Sequence, residues 1–240
     1  MKALILNSGM GTRLGELTRN KPKGMLDIGG GYTLLSRQLE LLSHLGISQA
    51  IITTGPFAPL LESHVQALGL PMDIAFVHNP DYARTNYIQS IHLTAPLLRG
   101  QGALLLHGDL VLEESVLRDL IQSPVSAMAV DSGLPLPEKD FKARLRESRI
   151  VAVGVELFGP DCQACQPAYH LLSQDLALWL DSIAAFVQQG EVGVYAENAF
   201  NALDGALPLY PLELGGRLCA EIDDPRDLEK VGRQFLETLA

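Results

Sequence analysis

The sequence predicts an α/β fold, a mostly parallel sheet with helices on both faces, and three observations lead there. Short runs that are apolar along their whole length alternate with amphipathic stretches of helical length. Glycine, proline and asparagine punctuate the gaps between them. Strands apolar at successive positions, rather than at every second one, belong to sheets covered on both sides.

Taken in order, a strand is read over residues 3–6, a helix over 34–45, a strand over 49–53, a helix over 60–68 and a strand over 73–77. A helix over 88–98, a strand over 103–106, a helix over 114–121 and a strand over 126–130 continue the alternation. The tract Gly133-Leu134-Pro135-Leu136-Pro137 breaks it, and residues 141–158 read as antiparallel strands, a small lobe beside the main sheet. Helices return at 171–188, 195–202 and 225–239, the last with Asp224 as N-cap and Pro225 in its first turn. The chain reads as a single domain over 1–240, with parts at 1–132 and 133–240.

Composition narrows the function. Of the 240 residues 47% are hydrophobic and 19% charged, as in a packed globular protein. The net charge of -10 repels nucleic acid and anionic membranes, so neither is expected as a partner, and an anionic ligand needs a local cluster of cations. The opening apolar run stops at Asn7 and Ser8, too early for a secretory core, and a cytoplasmic location is expected. Cys162, Cys165 and Cys219 make neither a disulfide framework nor a pair of zinc knuckles.

Directly after the first strand comes Asn7-Ser8-Gly9-Met10-Gly11-Thr12-Arg13, where two glycines let backbone N–H groups approach phosphates and an arginine offsets their charge. A dinucleotide fingerprint would need a third glycine where Leu14 stands, and a P-loop would need a closing Gly-Lys-Ser/Thr. Lys23, behind Pro22, supplies a second cation, and with Arg13 it could clamp a polyphosphate. Glycine-rich turns also arise from packing alone, so the loop by itself leaves both readings open.

Gly-x-Gly-x-Arg followed by Pro-Lys, after a strand of the Lys-Ala-Leu-Ile-Leu type, resembles the opening of the NTP-transferase superfamily. That superfamily includes the sugar-1-phosphate nucleotidyltransferases and the phosphocholine cytidylyltransferases. The resemblance implies the Rossmann-like, mixed sheet of the nucleotide-diphospho-sugar transferase type. It also implies transfer of a nucleoside monophosphate with release of pyrophosphate.

Asp109 ends the fourth apolar run at the carboxyl edge of the expected parallel sheet, where ligands bind in such folds. Glu221-Ile222-Asp223-Asp224 precedes the last helix. The resemblance carries a shared Mg²⁺ onto Asp109 and Asp223, in keeping with the oxygen ligands this ion prefers, while His107 is read as a packed residue.

The stretch from Asn79-Pro80 through Thr85-Asn86 to Ser90, and the later Tyr195-Ala196-Glu197-Asn198, are similar to the phosphocholine cytidylyltransferase group. This implies CTP as donor, with Gly55, Asn86 and Ser90 as nucleotide contacts beside residues 7–12, and Glu197 and Asn198 as acceptor contacts. Only 6% of the chain is aromatic and position 196 is alanine, which argues against a choline cage and leaves a phosphonate as acceptor beside phosphocholine. Lys142, in the expected hairpin, is read as the cation for the acceptor's phosphate or phosphonate, and a homodimer is compatible with this scheme. The rivals are a sugar-1-phosphate nucleotidyltransferase and a nucleotide-binding regulator without catalysis.

Overall fold

A computed structural model describes residues 1–239; Ala240, the last residue of the expected domain, lies outside them. The chain opens with β1 (Lys2–Asn7), two 3₁₀ turns (Thr12–Thr18 and Lys23–Met25) and a hairpin of β2 (Asp27–Gly29) and β3 (Tyr32–Thr33). There follow α1 (Leu34–His44), β4 (Gln49–Thr54), α2 (Ala58–Ala67), β5 (Asp73–His78), α3 (Tyr87–Leu98), β6 (Ala103–His107), β7 (Leu110–Leu112), α4 (Glu114–Gln122) and β8 (Ala127–Asp131). The second half contains β9 (Lys142–Arg146), β10 (Arg149–Gly154), β11 (Cys162–Leu171), α5 (Ser173–Gln188), α6 (Ala196–Asn201), β12 (Tyr210–Glu213), β13 (Cys219–Glu221) and α7 (Pro225–Thr238).

The main sheet has the order β10-β9-β11-β6-β1-β4-β5, with β8 and β12 branching from β11. Strands β6, β1, β4 and β5 are parallel, and their carboxyl ends share one edge. Side chains alternate across this sheet: Leu4 and Ile51 face a core formed with α3, α5 and α6, while Ala3, Ile5 and Ile52 face one formed with α1, α2 and α4. Each strand is therefore apolar throughout, as the sequence implied. A third cluster, around Leu14, Leu26, Ile222 and Phe235, fastens α7 beneath the loop that follows β1.

Of the strands after residue 133, β9 to β12 extend this sheet, while β13 pairs with β7 in a separate two-stranded sheet. The antiparallel hairpin β9–β10 lies at its edge, and β11 joins it to β6. The sequence reading assigned no element to most of β11, for a physical reason. Its register shifts between Cys165 and Tyr169, and Pro167, which lacks an N–H, sits within that irregularity, breaking the apolar run.

Trp179 of α5 anchors this half. Its ring meets Tyr169 and Phe200 edge-on at 5.4 and 6.1 Å, and its indole N–H donates to the Ala196 carbonyl at 2.9 Å. Trp179→Ala is expected to lower unfolding stability by about 3–5 kcal/mol, the usual range for truncating a large buried aromatic. Urea unfolding followed by circular dichroism measures it, and a loss below about 1 kcal/mol would mean the cavity closes by collapse.

Candidate active site

The loop after β1 is held from beneath by Asn7. Its backbone N–H donates to Thr53 Oγ1 at 3.0 Å, and its side chain is wedged between two glycines. A Cβ on Gly24 or Gly108 would stand 2.5 Å from the Asn7 amide, so only glycine lets the three segments meet there. Gly11 adopts φ +62°, and Thr18 Oγ1 donates to its carbonyl at 2.8 Å, closing the loop. Gly9, Met10, Gly11, Thr12 and Arg13 then line a cavity of about 380 Å³ with Lys23, Asn86, Asp109 and Asp223.

The two carboxylates come from distant parts of the chain. Asp109 follows β6, Asp223 follows β13, and antiparallel pairing of Leu110 with Glu221 and Leu112 with Cys219 brings the segments together. Lys23 Nζ bridges them, 2.7 Å from Asp109 Oδ2 and 3.0 Å from Asp223 Oδ1. Arg13 Nη1 lies 2.9 Å from Asp223 Oδ2. Burial alone would pull the Lys23 ammonium below its ordinary pKa, but Asp109 and then Asp223 outweigh it and the net shift is upward. Burial likewise opposes ionisation of Asp109, yet Lys23 and His107 hold it below the usual carboxylate range.

These groups fit a hard divalent cation. Asp109 Oδ1 is buried without a hydrogen-bond partner among the described residues, and Asp223 supplies the second carboxylate. His107 and Glu221 stand close by, with His107 Nδ1 3.3 Å from Glu221 Oε1. His107, Asp109 and Glu221 each bring one ligand-type atom within 4.8 Å of the others. Burial and the neighbouring Asp109 push the Glu221 carboxyl up to about 7, against the pull of His107.

A second cavity of about 360 Å³ opens beside the carboxylates. Besides Asp109 and Asp223, Arg13, Lys139, Asp140 and Glu221 supply its charges, and Tyr87, Phe141, Val155 and Tyr195 supply its apolar wall. The Tyr87 ring lies 5.8 Å from Tyr195 and 4.7 Å from His107, and Phe141 meets Tyr195 edge-on at 5.1 Å. The sequence reading judged the chain too poor in aromatics for such a grouping. Composition counts residues and not where they gather, and three of the six tyrosines and seven phenylalanines are enough to line one wall.

The structure brings Arg13, Lys23, Asp109, Asp223, Asn86 and loop residues 7–12 to this place, with Ser8 lining the neighbouring recess. Others expected at the site lie behind it. Ser90 Oγ, buried, is 2.6 Å from Ser8 Oγ and accepts from Asn79 Nδ2 at 3.1 Å, so it supports the loop from below. Gly55 packs on the Ser8 backbone. Lys142 is fully buried, with its ammonium donating to the Pro137 carbonyl at 2.7 Å and lying 4.2 Å from the Phe158 ring centre; it pins the segment that presents Lys139, Asp140 and Phe141. Glu197 is buried beneath Tyr87, and Asn198 is exposed on α6, outside the cavity lining.

The sequence assigns no role to Tyr87, Tyr195, Asp140 or Glu221, although the motifs contain Tyr195 and Glu221. A signal for Glu221 was present: in an extended segment residues two apart share a face, so Glu221 belongs with Asp223 as His107 does with Asp109.

Residues 3–199 match the MobA-like NTP transferase domain. The CMP-5'-(3-aminopropyl)phosphonate synthase of Streptomyces rubellomurinus is 32% identical over 136 residues, covering 57% of this chain but only 21% of that protein. The choline-phosphate cytidylyltransferase of Streptococcus pneumoniae is 26% identical and covers 96% of each chain. Among solved structures, the inositol-1-phosphate CTP transferase from T. maritima superposes with a TM-score of 0.81 at 21% identity, covering 99% of this chain and 95% of that one. The match over residues 3–199, which include the loop after β1, Lys23 and Asp109, establishes that this chain belongs to the MobA-like NTP transferase family of nucleotidyltransferases.

Proposed function

We propose that this chain transfers CMP from CTP to a small acceptor that carries a phosphate or phosphonate at one end and an ammonium group at the other, releasing pyrophosphate. The observation that carries the reading is Lys23 held between Asp109 and Asp223, with Arg13 at their rim and an aromatic, acid-lined cavity alongside. The names of two relatives, a CMP-5'-(3-aminopropyl)phosphonate synthase and a choline-phosphate cytidylyltransferase, suggest the base and the acceptor class.

In this scheme an acceptor oxygen attacks the α-phosphorus of CTP. The new P–O bond forms as the bond to the β-phosphate bridging oxygen breaks, and pyrophosphate leaves with that electron pair. Phosphate and phosphonate oxygens are already ionised near neutral pH, so no general base is needed. Loop N–H groups orient the triphosphate, while Arg13 and Lys23 offset charge that builds on the transferring phosphoryl group. Mg²⁺ on Asp109 and Asp223 would polarise phosphoryl oxygens and steady the leaving pyrophosphate. At the other end, Tyr87, Phe141 and Tyr195 offer ring faces to a cation, with Asp140 and Glu221 as counter-charges.

Pyrophosphate release is to be measured with Mg²⁺ and each of CTP, UTP, ATP, GTP and dTTP against phosphocholine, 3-aminopropylphosphonate, 2-aminoethylphosphonate and sugar-1-phosphates. Turnover with CTP and an ammonium-bearing acceptor is expected. Turnover with sugar phosphates alone would move the chain to the rival transferases, and binding without turnover would favour the regulator.

A further inference from the structure

Glu197 is 1% exposed and lies under the aromatic wall of the acceptor cavity. Its two oxygens are taken by neutral donors: the Tyr87 hydroxyl donates to Oε2, and the Tyr169 hydroxyl donates to Oε1 at 2.8 Å. Among the described residues no basic side chain forms an ion pair with it. A buried carboxylate is expensive to hold without a counter-ion, and a shape-matched apolar or amide side chain would serve packing alone at lower cost. Tyr87 joins this charge to the cavity, since its hydroxyl sits on Glu197 while its ring lines the space between His107 and Tyr195.

A tyrosine hydroxyl that donates to a carboxylate gains phenolate character, and its ring face becomes more negative. Such a face binds ammonium more strongly than an ordinary tyrosine does. We propose that Glu197 sets the preference for a cationic acceptor by charging the ring face of Tyr87, without touching the acceptor itself. The inference rests on the reading that the acceptor carries an ammonium group, and it names Glu197 as a positioning and specificity residue.

The test compares matched acceptors on the full chain: phosphocholine with 3,3-dimethylbutyl phosphate, and 3-aminopropylphosphonate with butylphosphonate. Each pair differs in charge and hardly in shape. Calorimetry gives affinities whether or not turnover occurs, and pyrophosphate release with CTP is followed in parallel. Wild type is expected to prefer the cationic member. Glu197→Gln keeps a hydrogen-bond acceptor for Tyr87 and removes the charge. It should weaken the cationic member about tenfold and leave the uncharged one within about twofold.

Tyr87→Phe keeps the ring, severs the link and should behave likewise; adding it to Glu197→Gln should cost little more. If Glu197→Gln fails to fold, the Tyr87→Phe comparison decides. A parallel fall for both members of a pair, or a wild type indifferent to charge, overturns the inference. A charge preference that depends on Glu197, with no CTP turnover, would uphold it while refuting the transfer reaction.

Discussion

Under the proposed reaction, Lys23→Ala will lower kcat for CMP transfer by about 10²–10³-fold while changing the KM for CTP by less than about tenfold. The expectation follows from where the ammonium sits. In the free protein Lys23 is held by Asp109 and Asp223 at 2.7 and 3.0 Å, so it is already desolvated and aimed at the place where the triphosphate must meet the carboxylates. Loop N–H groups and Arg13 still hold the nucleotide in the variant, which keeps the ground-state complex close to that of wild type. What is lost is a fixed positive charge beside the transferring phosphoryl group. Steady-state kinetics with saturating acceptor, together with direct CTP binding, separates the two effects. An equal loss in binding and turnover would place Lys23 in ground-state binding and remove its transition-state role.

Gly55→Ala will destabilise the fold by about 3 kcal/mol and weaken CTP binding by about tenfold or more. Gly55 ends the β4 segment against the loop after β1, and a Cβ there would be driven into the Ser8 carbonyl oxygen, with the Ser8 carbonyl carbon at 2.9 Å and its Cα at 3.1 Å. All three are backbone atoms, so no flexible side chain can yield, and the loop itself must move. Moving Ser8 disturbs its 2.6 Å contact with Ser90 and the Asn79 donor beyond it. Gly193→Ala, where nothing lies within 4 Å, should change stability by less than about 0.5 kcal/mol. Denaturant unfolding and calorimetry measure both quantities; unchanged CTP affinity in Gly55→Ala would mean that the loop is soft enough to absorb the shift.

The parallel half of the fold was legible because its physics is local. Strands β1, β4 and β6 are buried on two faces and announce themselves as apolar runs, and the glycines and cations that follow β1 stand next to one another in sequence. Elements defined by distant partners were not legible. Strands β7 and β13 have three residues each and exist because they pair with one another across more than a hundred positions. Strand β11 hides behind Pro167 and its register shift.

The acceptor side shows the same division. Lys142 reads as an exposed hairpin cation, but the fold turns it inward to the Pro137 carbonyl, and the charges presented to the cavity are those of its neighbours Lys139 and Asp140. Glu197 reads as a ligand contact, yet two tyrosines stand over it. No local pattern encodes which of several polar residues ends up in front and which behind, because tertiary packing decides it.

The β7–β13 ladder also dictates when in its synthesis the protein becomes competent. All four parallel strands and the loop after β1 have been made by His107, but Asp223 cannot reach Asp109 until Cys219–Glu221 has left the ribosome and paired with Leu110–Leu112. A nascent or prematurely terminated chain can therefore carry the loop, Arg13 and Lys23 and still lack the acidic pair. Such incomplete products lack the second carboxylate of the proposed centre, which is added only once residues 219–223 have been made and paired.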